Sequence, residues 1–154
     1  MKLVSYSVLF LILNFGALAI GNLLMASGPQ KEWYLALNKA PWTPPGWVFG
    51  VAWFTIMACF SLYMAYLLQT GLTSKIILLF TLQFVLNISW NYVFFNAHQV
   101  AVGLIVLLAL TSIVSIFTYN YWKTLKLKSV LILPYLFWLF VATSLNMYIL
   151  IHNK

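Results

Sequence analysis

The sequence has no arginine, no aspartate, one glutamate (Glu32) and one cysteine (Cys59). Each shortage removes a class of function. With a single acidic residue, paired carboxylates cannot do general acid–base work. Ion-coupled pumps typically keep carboxylates inside the membrane, and Glu32 lies outside every long apolar run, so coupling through a buried acid is disfavoured. One cysteine cannot close an intramolecular disulfide. Without arginine or a continuous basic face, nucleic acid is not an expected partner, although the net charge is +7. No phosphate-cradling GxxxxGK[ST] segment is present, so ATP-driven work by this chain alone is not expected. Charged residues of all kinds make up only 6%, against about 25% in soluble domains. That is too little charge to solvate the outside of a water-soluble globule.

What is abundant is apolar and aromatic: 64% hydrophobic and 18% aromatic residues over 154 positions. A bilayer core takes about 20 apolar residues per crossing helix. Five runs meet that length, at about 3–25, 47–68, 75–95, 100–122 and 130–151, which predicts an all-α membrane protein, a single five-helix transmembrane bundle. The first run is too long for the apolar stretch of a cleaved signal peptide and is read as a retained helix. Ala17 and Gly21 within it form a small-xxx-small pair that lets another backbone come close. The links between runs are short except for the first loop, 26–46. It has room for a short interfacial helix near Trp33 and then a proline cluster, Pro41, Pro44 and Pro45, that cannot be helical throughout. The 123–129 segment reads as a basic loop, with Lys123, Lys126 and Lys128. Five crossings put the chain ends on opposite sides. Lysines divide five (Lys2, Lys75, Lys123, Lys126, Lys128) to three (Lys31, Lys39, Lys154), which favours a cytoplasmic amino end.

The third run carries the most informative pattern. Gln83, Asn87, Trp90, Asn91 and Phe94 share one helical face. Carboxamides are costly against acyl chains, so this face is expected to look inward, either gluing helices together or walling a cavity. Trp33, Trp42, Trp47 and Trp122 suit an interface belt. Trp53, about 12 Å into its helix, and Trp138, about 20 Å in, lie too deep for that belt and are candidates for a pocket wall or for plain core packing. His98 and His152 fall on one side of the membrane with no cysteine or carboxylate beside them, an incomplete set for a metal. A cavity of indoles and carboxamides suits a flat, largely apolar ligand with a few polar edges. A loop rich in proline and tryptophan suits a lid over it.

These residues also carry a recognisable pattern. Trp33-Tyr34, Pro41-Trp42-Thr43-Pro44-Pro45, Phe49-Gly50-Val51-Ala52-Trp53, Leu86-Asn87 with Trp90-Asn91, and Pro134-Tyr135 with Trp138, Ala142-Thr143 and Leu145-Asn146 resemble the translocator protein family. Its members are also called tryptophan-rich sensory proteins or peripheral-type benzodiazepine receptors. The likeness spans nearly the whole chain. It implies a five-helix bundle, usually a homodimer among membrane lipids, with a pocket under the first loop. That pocket takes porphyrin-type molecules, protoporphyrin or haem, as non-covalent ligands. By that likeness the ligand-binding residues are Tyr34, Pro44, Pro45, Trp53, Asn87, Trp90, Asn91, Trp138, Ala142 and Leu145. Trp53 and Trp138 would be the catalytic pair if the protein degrades porphyrin under light. The expected role is a membrane receptor or sensor for tetrapyrroles. The alternatives are that light-dependent enzyme, a translocator of lipophilic molecules, and a structural partner docking through Ala17 and Gly21. The absence of arginine and the short tails point to a bacterial cell membrane. The prolines that animal members have in the third run are missing, and cholesterol transport is not carried over.

Overall fold

Each apolar run forms one long helix in the computed structural model, which describes residues 1–153; Lys154, counted in the charge balance, lies outside them. The helices are α1 (Lys2–Met25), α3 (Gly46–Gln69), α4 (Ser74–Asn91), α5 (Val100–Leu125) and α6 (Leu133–His152), with a short α2 (Glu32–Ala36) in the first loop. Four stretches are long and apolar enough to cross a bilayer: Lys2–Gln30, Gly46–Gln69, Ser74–Asn96 and Val100–His152. The last holds both α5 and α6, because the expected basic loop is not a loop. Lys123 stays in α5, and Lys126–Ile132 winds as a tight 3-10 helix straight into α6. Lys126 takes a left-handed φ of 51° to make that reversal, and Pro134 sits in the first turn of α6, where its missing N–H costs nothing.

The long helices close a ring in the order α1, α3, α6, α5, α4 and back to α1. Its lower half is filled. Phe60, Tyr63, Phe117 and Tyr135 are fully buried and meet edge to face or in stacks, with Phe80 alongside. Their polar tips find partners, as a medium without water requires. The Tyr63 hydroxyl donates to the Phe117 carbonyl at 3.1 Å, that of Tyr135 to Gln83 Oε1 at 3.0 Å, and Asn14 Nδ2 to Ser61 Oγ at 2.9 Å. The small pair on α1 is spent within the chain. A Cβ on Gly21 would stand 2.7 Å from Asn91 Nδ2 of α4, and Ala17 is buried. Neither is left as a docking stripe for another protein, which removes the basis of the structural-partner reading.

Two local features shape the upper half. At the end of α4 the helix widens into a π turn, Tyr92–Asn96, closed by the Ala97 N–H on the Tyr92 carbonyl at 2.8 Å. Such turns re-aim side chains, and this one turns Phe94 and Phe95 inward. At the end of α1 the chain reverses through Ala26 and Ser27, both left-handed, into Gly28. There only glycine fits, since a Cβ would lie 2.5 Å from Phe95 Cβ.

Candidate functional site

The first loop is a strap across the upper end of the ring. At one end Trp33 stacks on His98 at 4.1 Å and meets Phe94 edge-on. At the other, Asn38 is clasped by the end of α6. Its N–H donates to Asn153 Oδ1 at 2.7 Å, Asn153 Nδ2 donates back to its carbonyl at 3.0 Å, and its own carboxamide donates to the His152 carbonyl at 3.3 Å. Further on, Trp42 Nε1 donates to Ser144 Oγ at 3.2 Å while its ring meets Tyr148 edge-on. Pro44 and Pro45 then stiffen the entry to α3, with Pro45 as its N-cap.

Beneath the strap lies a cavity of about 560 Å³, within the range of about 300–1,000 Å³ typical of small-molecule sites. Its walls come from α1 (Ala17, Leu18, Asn22, Met25), the loop (Pro29, Gln30, Tyr34, Lys39, Thr43, Pro44), α3 (Gly46, Phe49, Gly50, Trp53) and α4 with its π turn (Asn87, Trp90, Asn91, Phe95). Gly46 and Gly50 leave open space on the α3 side, with nothing within 4 Å of an added Cβ at either. A side pocket of about 30 Å³ shares Tyr34, Thr43, Phe49, Trp90 and Phe95 and is backed by Ala142, Leu145 and Asn146. That is room for about one or two waters, or for a small substituent.

The residues singled out from sequence therefore divide into groups. Tyr34, Pro44, Trp53, Asn87, Trp90 and Asn91 line the main cavity. Ala142 and Leu145 line the side pocket. Pro45 caps α3 outside both linings, and Trp138 lies behind the wall. Trp138 is 6% exposed and packs perpendicular to Phe49 at 5.2 Å, so Phe49 presents the face to the void. Trp53 and Trp138 do not face each other across the space. Phe49, Asn22, Gln30, Thr43 and Lys39 were not among the expected site residues, although Thr43 and Phe49 stand in the stretches that carry the family resemblance. Periodicity offered a signal for two of them: Asn22 continues the four-residue spacing Asn14, Leu18, Asn22 on α1, and Phe49 lies one turn before Trp53 on α3. For the loop residues the sequence carried no such signal.

The chemistry of the walls is neutral and directional. Asn91 Nδ2 donates to the Asn87 carbonyl at 3.2 Å, and Trp90 Nε1 donates to Asn146 Oδ1 at 3.3 Å. Asn146 in turn donates to the Val100 carbonyl at 2.9 Å, which locks the indole between α4 and α6. The Asn87 carboxamide has no hydrogen-bond partner among the described residues; it borders the cavity with both donor and acceptor free. Burial pushes the Tyr34 phenol above its ordinary tyrosine value, so it stays a neutral donor. Among the described residues no three His, Cys, Asp or Glu side chains gather, and His152, like His98, stacks on a neighbouring ring, that of Tyr148 at 3.8 Å.

Comparison with known proteins gives the family. The profile of the TspO/MBR family matches residues 8–152. The human translocator protein is 33% identical over 124 residues, covering 77% of this chain and 73% of that protein. Protein CrtK of Rhodobacter capsulatus is 31% identical over 118 residues, covering 74% of each. A tryptophan-rich protein TspO from Archaeoglobus fulgidus is 31% identical over 155 residues, covering 99% of this chain and 97% of that one. With a match across nearly its whole length, the chain is an integral membrane protein of the TspO/MBR family.

Proposed function

We propose that this protein is a membrane receptor that takes flat, largely apolar tetrapyrroles, metal-free protoporphyrin foremost, into the cavity under the first loop. The observation that carries the reading is the unpartnered Asn87 carboxamide bordering an otherwise aromatic space beside Trp53 and Trp90. Indole faces stack on a planar π system, and a free carboxamide orients a ring nitrogen or carbonyl. The lining holds no imidazole or thiolate; its Met25 thioether, Tyr34 phenol and protonated Lys39 amine are poor ligands for the iron of haem, while a metal-free ring needs no axial ligand. In this reading α5 and α6 each cross the bilayer. Their 26 and 20 residues span about 39 and 30 Å. The amino end lies on the cytoplasmic side.

Protoporphyrin titrated into the purified protein is expected to quench tryptophan fluorescence saturably. Asn87→Ala is expected to weaken binding about 5–10-fold, the worth of one hydrogen bond in a dry site. Saturable quenching that is identical in the variant would remove this site from the account. A second reading, light-driven porphyrin breakdown, is favoured by one feature. Trp53 lines the cavity with the Tyr135 ring 6.2 Å behind it, a redox-active pair next to a bound pigment. Bleaching of the bound pigment under light that proceeds equally fast in Trp53→Phe would end that reading.

A further inference from the structure

The cavity is neutral except at one point. Among the described residues Lys39 is the only charged one in its walls, and it sits in the strap across the end of the bundle. Its ammonium is held in place by uncharged groups among the described residues: it donates to the Leu35 carbonyl at 3.3 Å and lies 4.8 Å from the centre of the Tyr34 ring. Carbonyl and ring face position a cation but carry no formal charge. The only acidic residue of the chain, Glu32, is exposed on α2 and is not among the cavity walls. An ammonium has three donors, and one is used among the described residues. The half-buried position makes a charge-assisted bond stronger than it would be in open water.

Resting on the ring-binding reading above, we infer that Lys39 is a specificity-determining residue that selects ligands bearing a carboxylate on the rim of the flat ring. The bound molecule then has a fixed orientation. Its apolar edge points down between Trp53 and Asn87, and its acidic edge points up at the strap. Closing the strap brings the ammonium over the carboxylate, and this adds a contact that an uncharged ring cannot make.

The test compares protoporphyrin, which has two carboxylates, with its dimethyl ester, which has none, on the full chain in one detergent. The wild type is expected to bind the diacid about 10-fold more tightly than the ester. Lys39→Met is expected to bring that ratio close to one, and Lys39→Arg, which keeps the charge, to retain most of it. Lys31→Met removes a charge from the same loop but outside the cavity lining, and is expected to leave the ratio unchanged. Using the ratio cancels any general effect of a substitution on the pocket. Equal binding of diacid and ester by the wild type, or a ratio that survives in Lys39→Met, overturns the role of Lys39 while leaving ring binding intact. Failure of the wild type to bind either compound overturns ring binding itself, and with it this assignment.

Discussion

The clasp between Asn38 and Asn153 makes a quantitative prediction about the strap. Asn153→Ala removes both bonds that the Asn153 carboxamide makes to the backbone of Asn38, at 2.7 and 3.0 Å. Asn38→Ala leaves those two backbone groups in place and removes only the 3.3 Å bond from its side chain to the His152 carbonyl. The two substitutions look equivalent in sequence but differ in structure. At about 0.5–1 kcal/mol per partly exposed bond, Asn153→Ala should favour strap opening by about 1–2 kcal/mol and Asn38→Ala by about half that or less. The open population should rise about 5–30-fold in the first case and about 2–5-fold in the second. Amide hydrogen exchange over residues 38–44 reads this directly, since local opening sets the rate. The Thr43 N–H, bonded to the Ala40 carbonyl at 2.9 Å, is a convenient reporter. Equal acceleration in both variants, or exchange in Asn153→Ala within twofold of wild type, would refute the clasp.

Other substitutions probe the bundle that holds the site. Gly28→Ala places a methyl 2.5 Å from Phe95 Cβ, so thermal unfolding in detergent should show a loss of about 1–3 kcal/mol; an unchanged midpoint would mean the chain reversal has slack. Tyr135→Phe leaves the buried Gln83 Oε1 without its donor and should cost about 1–3 kcal/mol by the same assay. Because burial raises the Tyr34 phenol above its ordinary value, the folded strap favours the protonated form. Its contribution is therefore complete below about pH 10 and lost as pH climbs beyond. Exchange in the strap should accelerate in that alkaline range in the wild type and less so in Tyr34→Phe.

The helices were legible in the sequence because little there competes with them. Five long apolar runs, all but the first pair separated by short links, leave few other ways to satisfy a backbone in lipid. Asn87, Trp90 and Asn91 were legible together because helical spacing fixes which side chains share a face. Spacing does not fix which side chain stands in front of which. Trp138 shares an inward face of α6, yet Phe49 of α3 covers it, and only the packing of two helices reveals that order. The Asn38–Asn153 clasp joins residues 115 positions apart through one backbone unit, and no local pattern announces it. The 123–129 segment misled for a different reason. Three lysines read as a solvated loop, but 3-10 winding lets the 126–132 backbone bond to itself while Lys126 and Lys128 stay exposed, with the Lys128 ammonium 4.2 Å from the centre of the Tyr66 ring. Lys39 was read only as one charge in a topology count, because its place in the cavity wall depends on how the strap folds over.

The central claim is that a flat ligand occupies the space between α1, α3, α4 and the strap, and Gly50 gives the most direct access to it. A side chain added there meets open space rather than protein, and replacing a helical glycine should, if anything, steady α3. Protoporphyrin binding to the wild type and to Gly50→Leu, measured by tryptophan quenching alongside thermal unfolding, tests it. The account expects affinity at least about 10-fold weaker in the variant with an equal or higher unfolding temperature. Undiminished affinity in a stably folded Gly50→Leu protein would show that the ligand does not sit in this cavity.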